Sequence, residues 1–165
     1  GTIAASPERL AEQGVPPAGI RRLKLVEYAA VKLARAQVMK RHALTSWTAL
    51  IDYVNAADAW RETEVFRVLF LDRKNVLIAD EVMAQGTVDH CPVYPREIVK
   101  RALQLNASAL ILVHNHPSGD PSPSRADIVM TNEVVAACKA LKIDVHDHLV
   151  IGRGGHASFK SLGLL

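Results

Sequence analysis

Two histidines one residue apart, His114-Asn115-His116, follow a continuous apolar run from Ala107 to Val113 and are themselves followed at once by Pro117. In extended backbone the side chains at i and i+2 point the same way. Both imidazoles can therefore address one point just beyond a strand's C-terminal end, where α/β folds often place their sites. Neutral imidazole is a ligand for zinc, and a zinc site with a hydrolytic role takes three protein ligands and leaves a fourth position to water. Asp127 is the candidate third ligand. It lies eleven residues past His116, after a loop from Pro117 to Pro123 that Gly119 and the prolines can turn sharply, in the first turn of the next helix. Water activated at such a site still needs a base, and the developing oxyanion needs a donor. Ser124, three residues before Asp127, shares its helix face and brings a hydroxyl. Glu81 lies in a strand among Ile78, Val82 and Met83. There a partly desolvated carboxyl has the raised pKa that a general base wants near neutrality.

Each feature also has a plainer reading. An H-x-H is often incidental, Ser124-x-x-Asp127 matches a helix capping box, and Glu81 suits an edge-strand charge equally well. Taken together they form a three-ligand geometry that caps alone do not explain. Two histidines and one carboxylate are also the facial triad of non-haem iron enzymes, so iron chemistry stays open at this point. A second H-x-H, His146-Asp147-His148, sits in an ordinary strand without a turn-rich loop or a third ligand. It reads as structural or as support for the ligands, with Asp147 orienting a ligand imidazole. His42, His90 and His156 read as surface or loop residues, and Asp120 as the maker of a local turn hydrogen bond.

The elements that must position these residues follow from caps and periodicity. Ser6-Pro7-Glu8 starts a short helix that stops at Gly14, and Val15 to Gly19 reads as a turn. From Ile20 to Val38 the apolar positions fall three and four apart, with basic residues on the other side. Trp47, Leu50, Ile51 and Val54 mark a third helix. Glu64 to Leu71 and Val76 to Met83, joined by Asp72-Arg73-Lys74-Asn75, read as a β-hairpin. Pro95 opens a helix, Ala107 to Val113 is a strand buried on both sides, and a long helix follows the Pro/Ser/Gly-rich loop. Val145 to Ile151 and Ser158 to Phe159 supply two more strands. Helices alternating with strands around a mixed sheet make an α/β or α+β arrangement.

His114-Asn115-His116-Pro117, six residues, then Ser124-Arg125-Ala126-Asp127, with Glu81 upstream, resembles the JAMM motif of MPN-type zinc metalloproteases, E…H-x-H-P-x6-S-x-x-D. The spacing matches at every position. Gly86-Thr87, Pro95-Arg96-Glu97, His114 to Asp120 and Asp147 to Gly152 are similar to the bacterial RadC (UPF0758) branch in particular. The likeness covers residues 45 to 165. Residues 6 to 40 resemble the helix-hairpin-helix segment that precedes the MPN domain in RadC proteins, with Gly14-Val15-Pro16-Pro17 where that hairpin carries G-x-G. That segment usually begins earlier, so the resemblance implies a truncated N-terminus. It also implies a domain spanning 43–165 with a curved mixed sheet flanked by helices, preceded by a small helical hairpin in 1–42. Zinc (Zn2+) would be held by His114, His116, Asp127 and a water, with Glu81 as base and Ser124 as donor to the tetrahedral intermediate. The implied substrate is a protein or peptide amide.

Composition bounds the rest. The 165 residues are 49% apolar and 22% charged, enough for one self-supporting core and a small remainder. No apolar run approaches the roughly 18 residues that a membrane span needs, and no secretory signal is visible. Two cysteines 47 positions apart suit a reducing cytosol, so the expected localisation is cytoplasmic. The formal charge of +3 divides into +5 over residues 1–42 and −2 over the remainder. A basic appendage of this kind can make a weak DNA contact by counterion release. The rival function is accordingly a DNA-associated binding module, linked to repair, with a structural metal.

Overall fold

A computed structural model describes residues 2–87 and 91–165; His90 lies outside the described residues. Five strands form one mixed sheet in the order β2-β1-β3-β4-β5, where β1 is Val65–Leu71, β2 Leu77–Gln85, β3 Ala109–Asn115, β4 Asp144–Gly152 and β5 Gly155–Ser158. The pairs β1/β2, β1/β3 and β4/β5 are antiparallel and β3/β4 is parallel. The parallel step needs a crossover, and α5 (Arg125–Lys139) supplies it. The central strands β1 and β3 are buried throughout, as their mostly apolar sequences require, and they take Arg67, His114 and Asn115 into the interior with them.

Alternation along the central strands divides the core in two. Leu69, Leu71, Ile111, Val113, Leu149 and Ile151 pack beneath α3 (Trp47–Asp58) and the C-terminal half of α2 (Pro17–Val38). Phe66, Val68, Phe70, Leu110 and Leu112 pack against α4 (Pro95–Gln104) and α5. The expected α/β class, a mixed sheet flanked by helices, is the observed one. The β1–β2 turn closes on Asp72, whose carboxylate accepts from the N–H groups of Lys74 and Val76 at 2.8 and 2.9 Å, while Asn75 takes the left-handed conformation.

Most boundaries differ from the expected ones by one or two residues, β3 for example running Ala109–Asn115, and two differences have a clear physical reason. α2 begins at Pro17 rather than Ile20, because a proline at the first helical position already has helical φ and lacks only an N–H the helix would not use. The last strand is Gly155–Ser158, whereas Phe159 leaves the sheet and buries its ring, its N–H donating to the His148 carbonyl at 2.9 Å. At the other end, Ser6 caps α1 (Pro7–Glu12) by accepting from the Arg9 N–H.

An ion network lies between α2, α3 and the sheet. Arg67 donates to Asp58 at 2.6 and 3.0 Å and to Asp80 at 2.5 Å; Asp80 also accepts from Arg35 and from the Tyr53 hydroxyl. Burial alone would raise the Asp80 carboxyl, but the Arg67 charge and these hydrogen bonds outweigh it and hold its pKa below the ordinary value. Arg35 and Lys24, two of the basic residues of α2, are thereby tied to acids, Lys24 to Glu27 at 2.6 Å. No helix among the described residues is long and apolar enough to cross a membrane.

Candidate metal centre

His114 is the last even-numbered residue of β3 inside the sheet, on the same face as Leu110 and Leu112, and so beneath the helical layer that contains α5. His116 follows on the same side. Its N–H donates to the Ile151 carbonyl at 2.9 Å, which extends the β3/β4 ladder one step past the strand end. The loop that joins β3 to α5 is pinned by Gly152, where an added Cβ would overlap the Gly119 carbonyl; only glycine admits this approach. Held in that way, the loop presents the Asp120 carbonyl to His116 Nδ1 at 2.8 Å. The Nδ1–H is the donor in that bond, which leaves the Nε2 lone pair of a neutral ring directed at the site. The Asp120 carboxylate makes the local turn bond expected of it, to the Ser122 N–H at 2.9 Å.

Ser124 and Asp127 form a complete capping box. The Ser124 oxygen accepts from the Asp127 N–H at 3.1 Å, and Asp127 Oδ2 accepts from the Ser124 N–H at 2.7 Å. The cap and the ligand reading prove compatible, because the cap is what aims the Asp127 carboxylate. Its Oδ1 is 3.4 Å from His114 Nε2 and its Oδ2 is 3.4 Å from His116 Nε2, while the two Nε2 atoms stand 3.0 Å apart. Metal bonds of 2.0–2.2 Å at tetrahedral angles space ligand atoms by roughly 3.3–3.6 Å, so the two edges to Asp127 fit such a site and the 3.0 Å edge between the imidazoles is shorter than it. This donor set, two imidazoles and one carboxylate, suits zinc and other divalent first-row ions alike.

Glu81, the expected base, lies elsewhere. Its carboxylate is held by both arms of the Arg101 guanidinium on α4, at 2.6 and 2.7 Å, and the hydrogen bonds from Arg101 lower its pKa rather than raise it. In the sheet Glu81 faces Val68, well inside β2, so the strand carries it along the α4 face instead of to the end of β3. The neighbouring Asp80 does take the opposite face, where it meets Arg67. The carboxylate that joins the cluster is Glu64. It directly precedes β1, and its Oε1 is 3.9 Å from His114 Nε2. One ligand atom from each of Glu64, His114, His116 and Asp127 falls within 4.8 Å of all the others. The β1/β3 register explains the placement: Phe66 faces His114, so one further pair of antiparallel steps brings Glu64 toward His116.

All four residues and Ser124 line one cavity of about 810 Å³ between the strand ends and α5. Burial would raise the Asp127 carboxyl, yet hydrogen bonds from the His114 and His116 rings in their protonated form hold it far below the ordinary carboxylate range. The bond to Asp127 in turn raises the His116 pKa above its usual value, so a proton and a cation compete for the same lone pair. Cys91, also on the cavity wall, is pushed up to about 11 by burial and by the Glu64 charge, and so is kept as a thiol.

Beneath the cluster lies a second histidine layer. His148 on β4 is fully buried, with Nε2 2.8 Å from His114 Nδ1 and Nδ1 2.7 Å from the Thr131 hydroxyl. The supporting role expected of the second H-x-H thus falls to His148. Asp147 does not orient an imidazole: its carboxylate accepts from the backbone N–H groups of His148 and Lys160 and from the Ser158 hydroxyl, fixing the end of β5 and the residues after it against β4. His146 reaches Asn75 at 2.6 Å on the other side of the sheet.

Comparison with known proteins agrees with this geometry. Residues 44–164 match the family described as RadC-like JAB domain. The chain belongs to the RadC family. It is 63% identical over 164 residues to a UPF0758 protein of Rhodobacter capsulatus, covering 99% of this chain and 77% of that protein. It is 60% identical over the same length to a UPF0758 protein of Ruegeria pomeroyi, covering 73% of that protein. In this RadC-family chain the JAB match contains the whole of the four-residue cluster.

Proposed function

We propose that this RadC-family protein is a zinc-dependent hydrolase of amide bonds, a JAMM-type peptidase or isopeptidase whose substrate is a protein or peptide. The observation that carries this reading is the convergence of Glu64 on the His114, His116 and Asp127 triangle inside one cavity. His114, His116 and Asp127 would hold the divalent ion, which would supply Lewis acidity and a water made nucleophilic near neutral pH. Among the described residues Glu64 is the one carboxylate of the cluster outside that triangle, and it would take a proton at its Oε atoms and return it to the leaving amine. Ser124 keeps its hydroxyl proton, because its oxygen is the acceptor in the cap. It can therefore donate to an oxyanion beside the site. Phe66, Val93 and Met130 give the cavity an apolar wall that excludes water around these groups.

The test is hydrolysis of peptide and isopeptide libraries by zinc-loaded wild type, His116→Ala and Glu64→Gln. Cleavage by wild type alone is expected; equal cleavage by all three would overturn the proposal.

A further inference from the structure

The chain of hydrogen bonds behind His114 has a fixed direction, and the direction decides which proton state the ligand can adopt. The Thr131 hydroxyl lies 2.6 Å from the Asp127 carbonyl and 2.7 Å from His148 Nδ1. A carbonyl cannot donate and a hydroxyl has one proton, so Thr131 donates to Asp127. Its oxygen must then accept from His148, which places a proton on Nδ1 of that ring. A neutral His148 with Nδ1–H has a bare Nε2. That nitrogen, 2.8 Å from His114 Nδ1, accepts the Nδ1–H of His114. With Nδ1 committed, neutral His114 has its lone pair on Nε2, the atom that points at His116 and Asp127.

We propose that His148 and Thr131 are positioning residues that lock His114 into its metal-binding tautomer, through a relay running Asp127 carbonyl, Thr131, His148, His114. The relay begins at the backbone of one ligand and ends at the ring of another, so it couples the α5 ligand to the β3 ligand through buried side chains. Phe159, stacked on His148 with ring centroids 4.6 Å apart, and Phe66, edge-on at 5.7 Å, hold the ring plane. Ligating histidines commonly donate their second N–H to a carboxylate, a carbonyl or water. Here a neutral imidazole takes that place and lends the ligand less negative charge than a carboxylate would. The inference rests on the cluster being a zinc site and not on what the site hydrolyses.

Zinc affinity by competition with a chromophoric chelator, together with long-range ¹H–¹⁵N spectra of the imidazole rings, tests it without reference to turnover. Wild-type His148 should show Nδ1 protonated and Nε2 bare, with and without zinc. Thr131→Val, which keeps the volume and removes the acceptor, should lower zinc affinity by about 10–100-fold, and Thr131→Ser should restore it to within about threefold of wild type. A His148 ring protonated on Nε2 would overturn the relay, and this readout stands even if the valine variant fails to fold. A folded Thr131→Val that binds zinc within about threefold of wild type would overturn it as well. A wild type with no affinity for zinc would overturn the metal reading itself, and the relay with it.

Discussion

Exchange of the acid for the amide at two glutamates separates the structural assignment of the base from the expectation raised by the sequence. Glu64→Gln keeps the size of the side chain and removes its ability to accept a proton. General-base catalysis contributes about 10²–10⁴-fold, or roughly 3–5 kcal/mol of barrier, and the rate of the zinc-loaded enzyme should fall by that factor. Zinc affinity should change far less. Glu64 Oε1 stands 3.9 Å from His114 Nε2, outside the 3.0–3.4 Å edges of the ligand triangle, so the amide removes no ligand. Glu81→Gln should leave the rate unchanged, because its carboxylate is occupied by Arg101 on the outer part of the α4 face. The assay is single-turnover cleavage of a library-selected peptide, with chelator competition run on the same preparations. A slow Glu81→Gln beside a Glu64→Gln of wild-type rate would refute the assignment.

Other expected outcomes concern the frame around the site. Arg67→Met leaves the buried Asp58 and Asp80 with only the more exposed Arg61 and Arg35 as partners and should cost about 3 kcal/mol in urea unfolding. The Asp80 carboxyl is held below its unfolded pKa of about 3.9, so its contribution is complete above that pH and lost as pH falls through the folded value. Unfolding midpoints of the wild type should therefore drop steeply below about pH 4, and Asp80→Asn, less stable at neutrality, should show a shallower acid limb. Gly152→Ala drives a Cβ into the Gly119 carbonyl and shifts the loop whose Asp120 carbonyl orients His116. Zinc affinity should fall by about tenfold or more in that variant while the far-ultraviolet circular dichroism is retained. Unchanged affinity would show that the loop does not set the His116 ring.

Much of this site was legible because its parts are local. The H-x-H works through the two-residue period of a strand, and Asp127 through a fixed helical step from Ser124, so spacing alone brought His114, His116 and Asp127 together as candidates. Glu64 was missed although it stood at the head of an expected strand, because what brings it to His116 is the register of β1 on β3 across some fifty residues of sequence. The usable signal was topological: a strand antiparallel to β3 must begin where β3 ends, whereas Glu81 lies in the middle of its strand. His148 was legible as a supporting residue only by its motif. Its real partner, Thr131, is one helical turn past Asp127 and carries no mark in the sequence. Asp147 was misassigned for a related reason, since strand alternation turns it away from the face that His148 shares with His114.

The central claim, that His114, His116 and Asp127 gather one ion with water in the remaining position, is tested most directly by X-ray absorption at the zinc edge of the loaded protein. The expected spectrum has a shell of nitrogen and oxygen at about 2.0–2.2 Å with the outer scattering of two imidazoles, and loses one imidazole in His116→Ala. A sulfur neighbour at about 2.3 Å, which would implicate Cys91, or a shell without imidazole would contradict it.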